Sequence, residues 1–174
     1  LVVAGELAST NDLAFELTPR LDPRGAAFIA AAQTGGRGRF GREWSSPEGN
    51  LYLSVSRPLG EAVEKAGIIS LLAGLALART VEAETGVKPD VKWPNDLQVK
   101  GKKLAGILVE ARGDLQVVGL GLNVNTSVDQ LSPEVADIAT TLLAETGRKF
   151  GIEQLAAAFL SEFAALEKKF EADP

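Results

Sequence analysis

Between Asp90 and Asn125 the sequence passes through three stretches that read as successive strands, DVKWPND, KKLAGILVEAR and LQVVGLGLNVN, with only VKGK and RGD to connect them. Connections that short hold tight turns and leave no room for a crossover helix, so strands joined this way run antiparallel. Whatever else the chain does, it must fold around that sheet. LVVAG at the start reads as one further strand. AAFIAAAQ, residues 26–33, is a continuous apolar run bounded by glycine, as expected of a strand covered on both faces. NLYLSVS alternates Leu51, Leu53 and Val55 with Tyr52, Ser54 and Ser56, the period of a half-buried strand.

Helices account for the remaining periodic segments. STNDLAFEL opens one, with Ser9 or Thr10 available to cap the backbone amides that an N-terminus leaves unpaired, and the turn-rich TPRLDPRG follows it. Residues 62–85 put Ile68, Leu71, Leu72, Leu75 and Val81 at helical spacing, and Gly86 suits the C-cap. A last helix over 152–170 carries Ile152, Leu155, Phe159, Leu160, Phe163, Leu166 and Phe170 on one stripe. Clustered strands with a few helices predict an α+β fold, a mixed and largely antiparallel sheet flanked by helices.

The 174 residues suit one domain spanning 1–174, long enough to bury roughly 70% of the unfolded chain's surface. A net charge of −5 argues against a protein that coats nucleic acid, whose footprint is basic. The chain has no cysteine and no histidine. Thiolate nucleophiles, zinc–thiolate sites, disulfides and the commonest general base are therefore all excluded, and chemistry must run on Lys, Arg, Asp, Glu, Ser, Thr and Asn. No apolar run approaches the roughly 20 residues that span a bilayer and no signal peptide is visible, so the expected compartment is the cytoplasm. The chain starts on Leu1 and contains no methionine, as a fragment would.

One stretch departs from the acidic background. QTGGRGRFGREW, Gln33 to Trp44, holds four glycines and three arginines in twelve residues. Glycine lets a ligand approach backbone amides closely, and arginine supplies planar two-pronged donors for carboxylate or phosphate. The pattern suits an anion, a solvated basic turn, or, through RGRFG, a faint version of an RNA-binding strand that the acidic balance disfavours. Such a loop is expected to be mobile when empty, because glycine is entropically costly to order and the arginines repel one another.

GRGRFGREWSSPEGNLYLSV resembles, almost residue for residue, the signature loop and following strand of the biotin protein ligases. STN near the start, VKWPND, and KKLAGILVE followed by GLGLNVN agree with that family in the right order, from about residue 8 to residue 125. The resemblance implies the class II aminoacyl-tRNA synthetase-like, biotin–lipoate ligase fold. It also implies a two-step reaction: biotin and MgATP give biotinyl-5'-AMP, and a lysine of a biotin carboxyl carrier domain then takes the biotinyl group.

The same resemblance assigns residues. Arg37, Arg39 and Lys103 match positions around the biotin carboxylate and the phosphates, with Gly36 and Gly38 giving backbone access. Ser9, Thr10, Asn11 and Gln33 match contacts to the biotin ring, where donors and acceptors suit a ureido group. Trp44 matches a residue near adenine, although its position equally allows a core role, and Asn123 is a candidate adenine contact. Asp96 is left between two roles, orienting the magnesium that accompanies ATP and accepting the proton of the incoming lysine. Pro94 and Asn95 read as architectural, with Trp93 extended before the proline and Asn95 beginning a turn. No metal site made of protein ligands alone is expected, and Arg42 receives no role.

Many family members carry an N-terminal winged-helix domain and most a small C-terminal domain; neither is expected in this sequence. The expected partner is the carrier domain of acetyl-CoA carboxylase or another carboxylase, with no nucleic acid or membrane, and a homodimer is left open. Two other functions stand beside the ligase. One is a non-catalytic biotin-binding or carrier-docking module. The other is a lipoate or octanoate transferase of the same superfamily, disfavoured by the absence of His and Cys.

Overall fold

The computed structural model describes residues 1–22, 25–59 and 66–172. Seven strands, β1 (Val2–Leu7), β2 (Ala27–Gln33), β3 (Leu51–Pro58), β4 (Asp90–Lys92), β5 (Asp96–Val99), β6 (Lys102–Arg112) and β7 (Leu115–Leu122), form one sheet in the order β1-β2-β3-β7-β6-β5-β4. Only the β1–β2 pair is parallel, because α1 (Thr10–Leu21) intervenes; all other pairs are antiparallel. The expected mixed, largely antiparallel sheet flanked by helices is the one observed.

The two hairpin turns form as the glycines predict. Lys100 and Gly101 both take positive φ, 51° and 80°, between β5 and β6, and Gly113 does so at 57° between β6 and β7. DVKWPND, however, is not one strand. It folds into β4, a turn over residues 93–95 with a cis Trp93–Pro94 bond, and β5, so two short strands replace the single one, parted at the turn that Asn95 marks.

Alternation along the strands sorts side chains onto two faces. Leu51, Leu53, Ala105, Ile107, Val118, Leu120 and Leu122 join one apolar cluster with α2 (Ala66–Thr85) and α5 (Ile152–Ala172). α1 covers part of the other face, where Ala14, Phe28 and Val117 pack together. The alternation in NLYLSVS is real, but its polar half is not solvated: Tyr52, Ser54 and Ser56 are all buried. Ser56 Oγ accepts from Thr18 Oγ1 of α1 at 2.7 Å and from the Ala26 amide at 2.8 Å, so the Ser56 hydroxyl is satisfied where packing removes it from water.

α1 itself runs on through Pro19 to Leu21, past the start of the turn expected from TPRLDPRG; Pro23 and Arg24 lie outside the described residues. The stripe on α2 is also corrected. Leu71 and Leu75 are exposed, whereas Ile69, Ala73, Ala76, Leu77 and Val81 are buried. This helix is apolar nearly all round, so periodicity alone cannot select its buried face, and small alanines pack closest. Its first expected residues, 62–65, lie outside the described residues. Gly86 ends it in the left-handed region, at φ 76°, with its amide donating to Glu82 O. The stripe on α5 stands, and Phe159 stacks on Phe163 with centroids 5.5 Å apart. Two short helices, α3 (Pro133–Ala136) and α4 (Leu142–Thr146), occupy a segment that carried no expectation. No helix among the described residues is long and apolar enough to cross a membrane.

Candidate active site

On the α1 side of the sheet, β6 and β7 present Gly106, Gly119 and Gly121 where other strands carry side chains. A Cβ on Gly121 would collide with the Trp44 indole, and one on Gly119 with the Asn11 carboxamide. A Cβ on Gly106 would stand 2.9 Å from Trp44 Cζ3. The bare floor leaves a cavity of about 260 Å³, closed by the start of α1, the Gly/Arg loop, the β4–β5 turn and the chain from Leu131 to Ala139.

At one end the lining is polar. The Thr10 amide and hydroxyl both donate to Gln33 Oε1, at 2.8 and 3.1 Å, and Gln33 Nε2 donates to Ser46 Oγ at 3.1 Å. Ser9 occupies the N-cap position but its side chain makes no capping bond, while Gln33, from a neighbouring strand, accepts from the amide of the first helical residue, Thr10. The Ser9 side chain lines the cavity instead. Asn11 is fully engaged: Oδ1 lies 2.6 Å from Ser54 Oγ, and Nδ2 donates to Glu110 Oε2 at 2.7 Å.

The Gly/Arg loop is tied by its own backbone. Gly38 N donates to Arg42 O at 2.7 Å, and Trp44 N to Gly36 O at 2.9 Å. Gly36 does not line the cavity. It is buried behind the wall, where a Cβ would stand 2.5 Å from Ser46 Oγ and 2.6 Å from Trp44 O, so glycine is required there for packing and not for ligand access. Gly38 does face the cavity. Phe40 sits at the tip with φ 60° and is 85% exposed.

The two central arginines differ. Arg37 makes a two-pronged contact with Asp12, at 2.7 and 2.9 Å, and reaches Glu110 at 3.3 Å. Arg112 adds a bond to Asp12 at 2.9 Å. The Arg37 hydrogen bond holds the Asp12 carboxyl below the usual carboxylate range, against the opposing effect of burial and with help from Arg112. Asp12 in turn pushes the Arg37 guanidinium further up. Arg37 is therefore neutralised within the protein and adds nothing to the repulsion expected among the loop's arginines. Arg39 meets no carboxylate among the described residues; its Nη1 donates to Asn95 Oδ1 at 3.3 Å and its guanidinium lies 4.9 Å from the Phe40 ring centre. Arg42 lines the cavity as well, which its sequence position gave no reason to expect.

Opposite the loop, Lys103 Nζ is 2.7 Å from Asp96 Oδ1 and 5.2 Å from the Trp44 ring centre. The Trp44 Nε1–H is buried against the cavity floor with no acceptor among the described residues. Asn123 Nδ2 donates to Thr140 O at 3.0 Å. Among the described residues no cluster of three or more acidic side chains could hold a metal. Two acidic residues line the wall, Glu43 and Asp96; neither makes a metal site alone, and a magnesium ion held by Asp96 would take its remaining oxygens from nucleotide phosphates, the usual arrangement for that ion.

Asn95 went unread as a site residue, yet its Nδ2 donates to Ile107 O at 2.9 Å and its Oδ1 holds Arg39. Leu131, Val135, Ile138 and Ala139 were also missed, and they form the apolar lid wall. A signal existed for part of this segment: Ser132 followed by Pro133 is a helix-start pattern, with proline where no amide is needed. Lys103 is fixed against this wall, its amide donating to Ile138 O while Thr140 N donates to Lys103 O.

A sequence model of the biotin/lipoate A/B protein ligase family matches residues 6–125. The biotin–[acetyl-CoA-carboxylase] ligase of Mycobacterium tuberculosis is 40% identical over 149 residues, covering 82% of this chain and 54% of its own length. The bifunctional ligase/repressor BirA of Bacillus spizizenii is 37% identical over 155 residues, 86% of this chain and 48% of the relative. The chain thus spans about half the length of these curated relatives. Among solved structures, the Aquifex aeolicus biotin protein ligase in complex with biotin and ATP superposes with a TM-score of 0.89 at 33% identity, over 99% of this chain and 72% of that one.

Proposed function

Because the chain belongs to the biotin/lipoate A/B protein ligase family, we propose that its cavity makes biotinyl-5'-AMP from biotin and ATP and delivers the biotinyl group to a carrier lysine. The observation that carries this reading is the convergence of Ser9, Gln33, Arg39, Lys103 and Asn123, from five separate segments, on one cavity whose polar end and cationic mouth match the two ends of that adduct.

In the first step a biotin carboxylate oxygen attacks the α-phosphorus of ATP and pyrophosphate leaves. Both reactants are anions, so the protein must bring them together and spread the charge on phosphorus. Arg39 and Lys103 are the cations for this work. Ser9, Thr10, Asn11 and Gln33 take the ureido ring, with Gly38 giving close backbone approach, and Trp44 and Asn123 take the adenine. Trp44 lines the cavity beside Lys103, with its ring centre 5.2 Å from Nζ, and that position supports a place for it in the nucleotide wall.

In the second step the carrier lysine's amine attacks the mixed anhydride, the amide forms, and AMP leaves with the bonding electrons as the amine loses its proton. Asp96 Oδ1 already holds Lys103, which favours a role in aiming that cation over one as an unencumbered base. Magnesium arriving with ATP supplies charge neutralisation, and Asp96 is the side chain that would hold it. The carrier is a biotin carboxyl carrier domain of acetyl-CoA carboxylase or another carboxylase, met in the cytoplasm.

Biotin-dependent exchange of labelled pyrophosphate into ATP tests the first step. Exchange that appears only with biotin is expected; exchange indifferent to biotin overturns the reading, and a pure binding module would exchange nothing.

A further inference from the structure

We infer that Asp12 and Glu110 are positioning residues of this site, acting through Arg37 and Asn11 to lock the Gly/Arg loop against α1. The inference rests on the adenylating reading above, but its argument comes from charge. Asp12, Glu110, Arg37 and Arg112 form a closed group of two carboxylates and two guanidiniums, linked at 2.7, 2.9, 3.3 and 2.9 Å. Arg112 also lies 4.2 Å over the Phe15 ring, which fixes it on α1. A ligand carboxylate or phosphate approaching Arg37 would meet Asp12 and Glu110 as well, and their repulsion would cancel the attraction. Arg37 is thus spent on tethering the loop, and the anion falls to Arg39, two residues on, which has no carboxylate partner among the described residues.

Glu110 serves both ends of this device. Its Oε2 accepts from Asn11 Nδ2 at 2.7 Å and from Arg37 Nη2 at 3.3 Å, so one side chain sets the orientation of a ring-binding carboxamide and the position of the loop. Ser54 holds the other end of the Asn11 carboxamide, which lies in the space that Gly119 leaves by having no side chain. The two carboxylates never touch the cavity's contents in this scheme; they determine where the residues that do so stand.

A double-mutant cycle in the pyrophosphate exchange assay tests this. Asp12→Asn and Arg37→Gln are each expected to raise KM for biotin by up to roughly fivefold, the upper end for the loss of a partly exposed charged pair, with kcat within about twofold. The double variant should be no worse than the more severe single one, and Asp12→Glu should recover part of the loss. Additive effects, or an Asp12→Asn KM within about twofold of the unmutated chain, overturn the inference. If either variant fails to fold, Arg37→Lys carries the test: it keeps the charge but loses the two-pronged contact, so its KM must rise. Trypsin cleavage after Arg39 gives a readout independent of activity, expected roughly fivefold faster in Asp12→Asn; an unchanged rate also overturns the inference. An unmutated chain without biotin-dependent exchange sinks the adenylating reading alone and leaves the cleavage comparison to decide this one.

Discussion

At the scale of single residues, the site is shaped by side chains that are missing. Gly121 leaves the space in which the Trp44 indole lies, and β7 has no backbone freedom to move away, being paired on both sides. Gly121→Ala must therefore displace the indole. A rise of roughly tenfold in KM for ATP is expected, together with a stability loss of about 1–3 kcal/mol from overpacking. An alanine variant with an unchanged KM would show that the indole is no part of the nucleotide wall. Asp12 makes a second, pH-dependent case. Its folded pKa is lowered from 3.8, so its ion pairs stabilise the fold above that value and the contribution is lost as pH falls through the lower, folded pKa. Asp12→Asn should be less stable than the unmutated chain at neutral pH, by about 1 kcal/mol or less given the pair's exposure. In urea titrations the gap should close below roughly pH 3.8; a gap that persists there would assign the loss to packing.

At the scale of elements, the sheet separates two tasks. Its α2–α5 face holds the larger apolar core, while its α1 face holds the cavity. Alternation within each strand keeps them apart: along β7, Val118, Leu120 and Leu122 serve the core while Gly119 and Gly121 serve the cavity floor. Stability and ligand affinity should accordingly be separable by mutation. Phe163 is 2% exposed and stacked on Phe159, on the far side of the sheet from Trp44. Phe163→Ala should cost about 3–5 kcal/mol in urea unfolding. Under conditions where it stays folded, its KM for biotin should remain within about twofold. A large KM change would mean that the core face sets the geometry of the floor.

At the scale of the whole molecule, what the sequence discloses follows the range of the interactions involved. Elements with strict periods and flanking glycines were legible: the β5–β6 and β6–β7 turns, the α5 stripe and the alternation of β3. DVKWPND was read as one strand, although Asn95 marked a turn, because strands of three and four residues are too short to show a period. α2 hid its buried face because it is apolar nearly all round. The site residues could be named from ordered motifs, but their partners could not. Arg37 pairs with residues 25 and 73 positions away and Arg112 with one 100 away, and nothing local in the chain encodes such pairs. The lid wall from Leu131 to Ala139 escaped for the same reason, being assembled from short turns that only the tertiary fold brings to Lys103. That assembly leads to a prediction about the molecule as one thermodynamic unit. The cavity draws on the start of α1, the β2–β3 loop, the β4–β5 turn, β6, β7 and the chain before α4, so none of these segments can unfold around a bound adenylate without releasing it. Ligand held only by the native state stabilises it by about 2.7 kcal/mol at a hundredfold excess over Kd, which for a chain of this size is a rise in Tm of roughly 5–10 °C. Biotin with MgATP should give that rise in a thermal scan, and biotin alone a smaller one. A Tm indifferent to both would mean that the cavity does not hold the adduct.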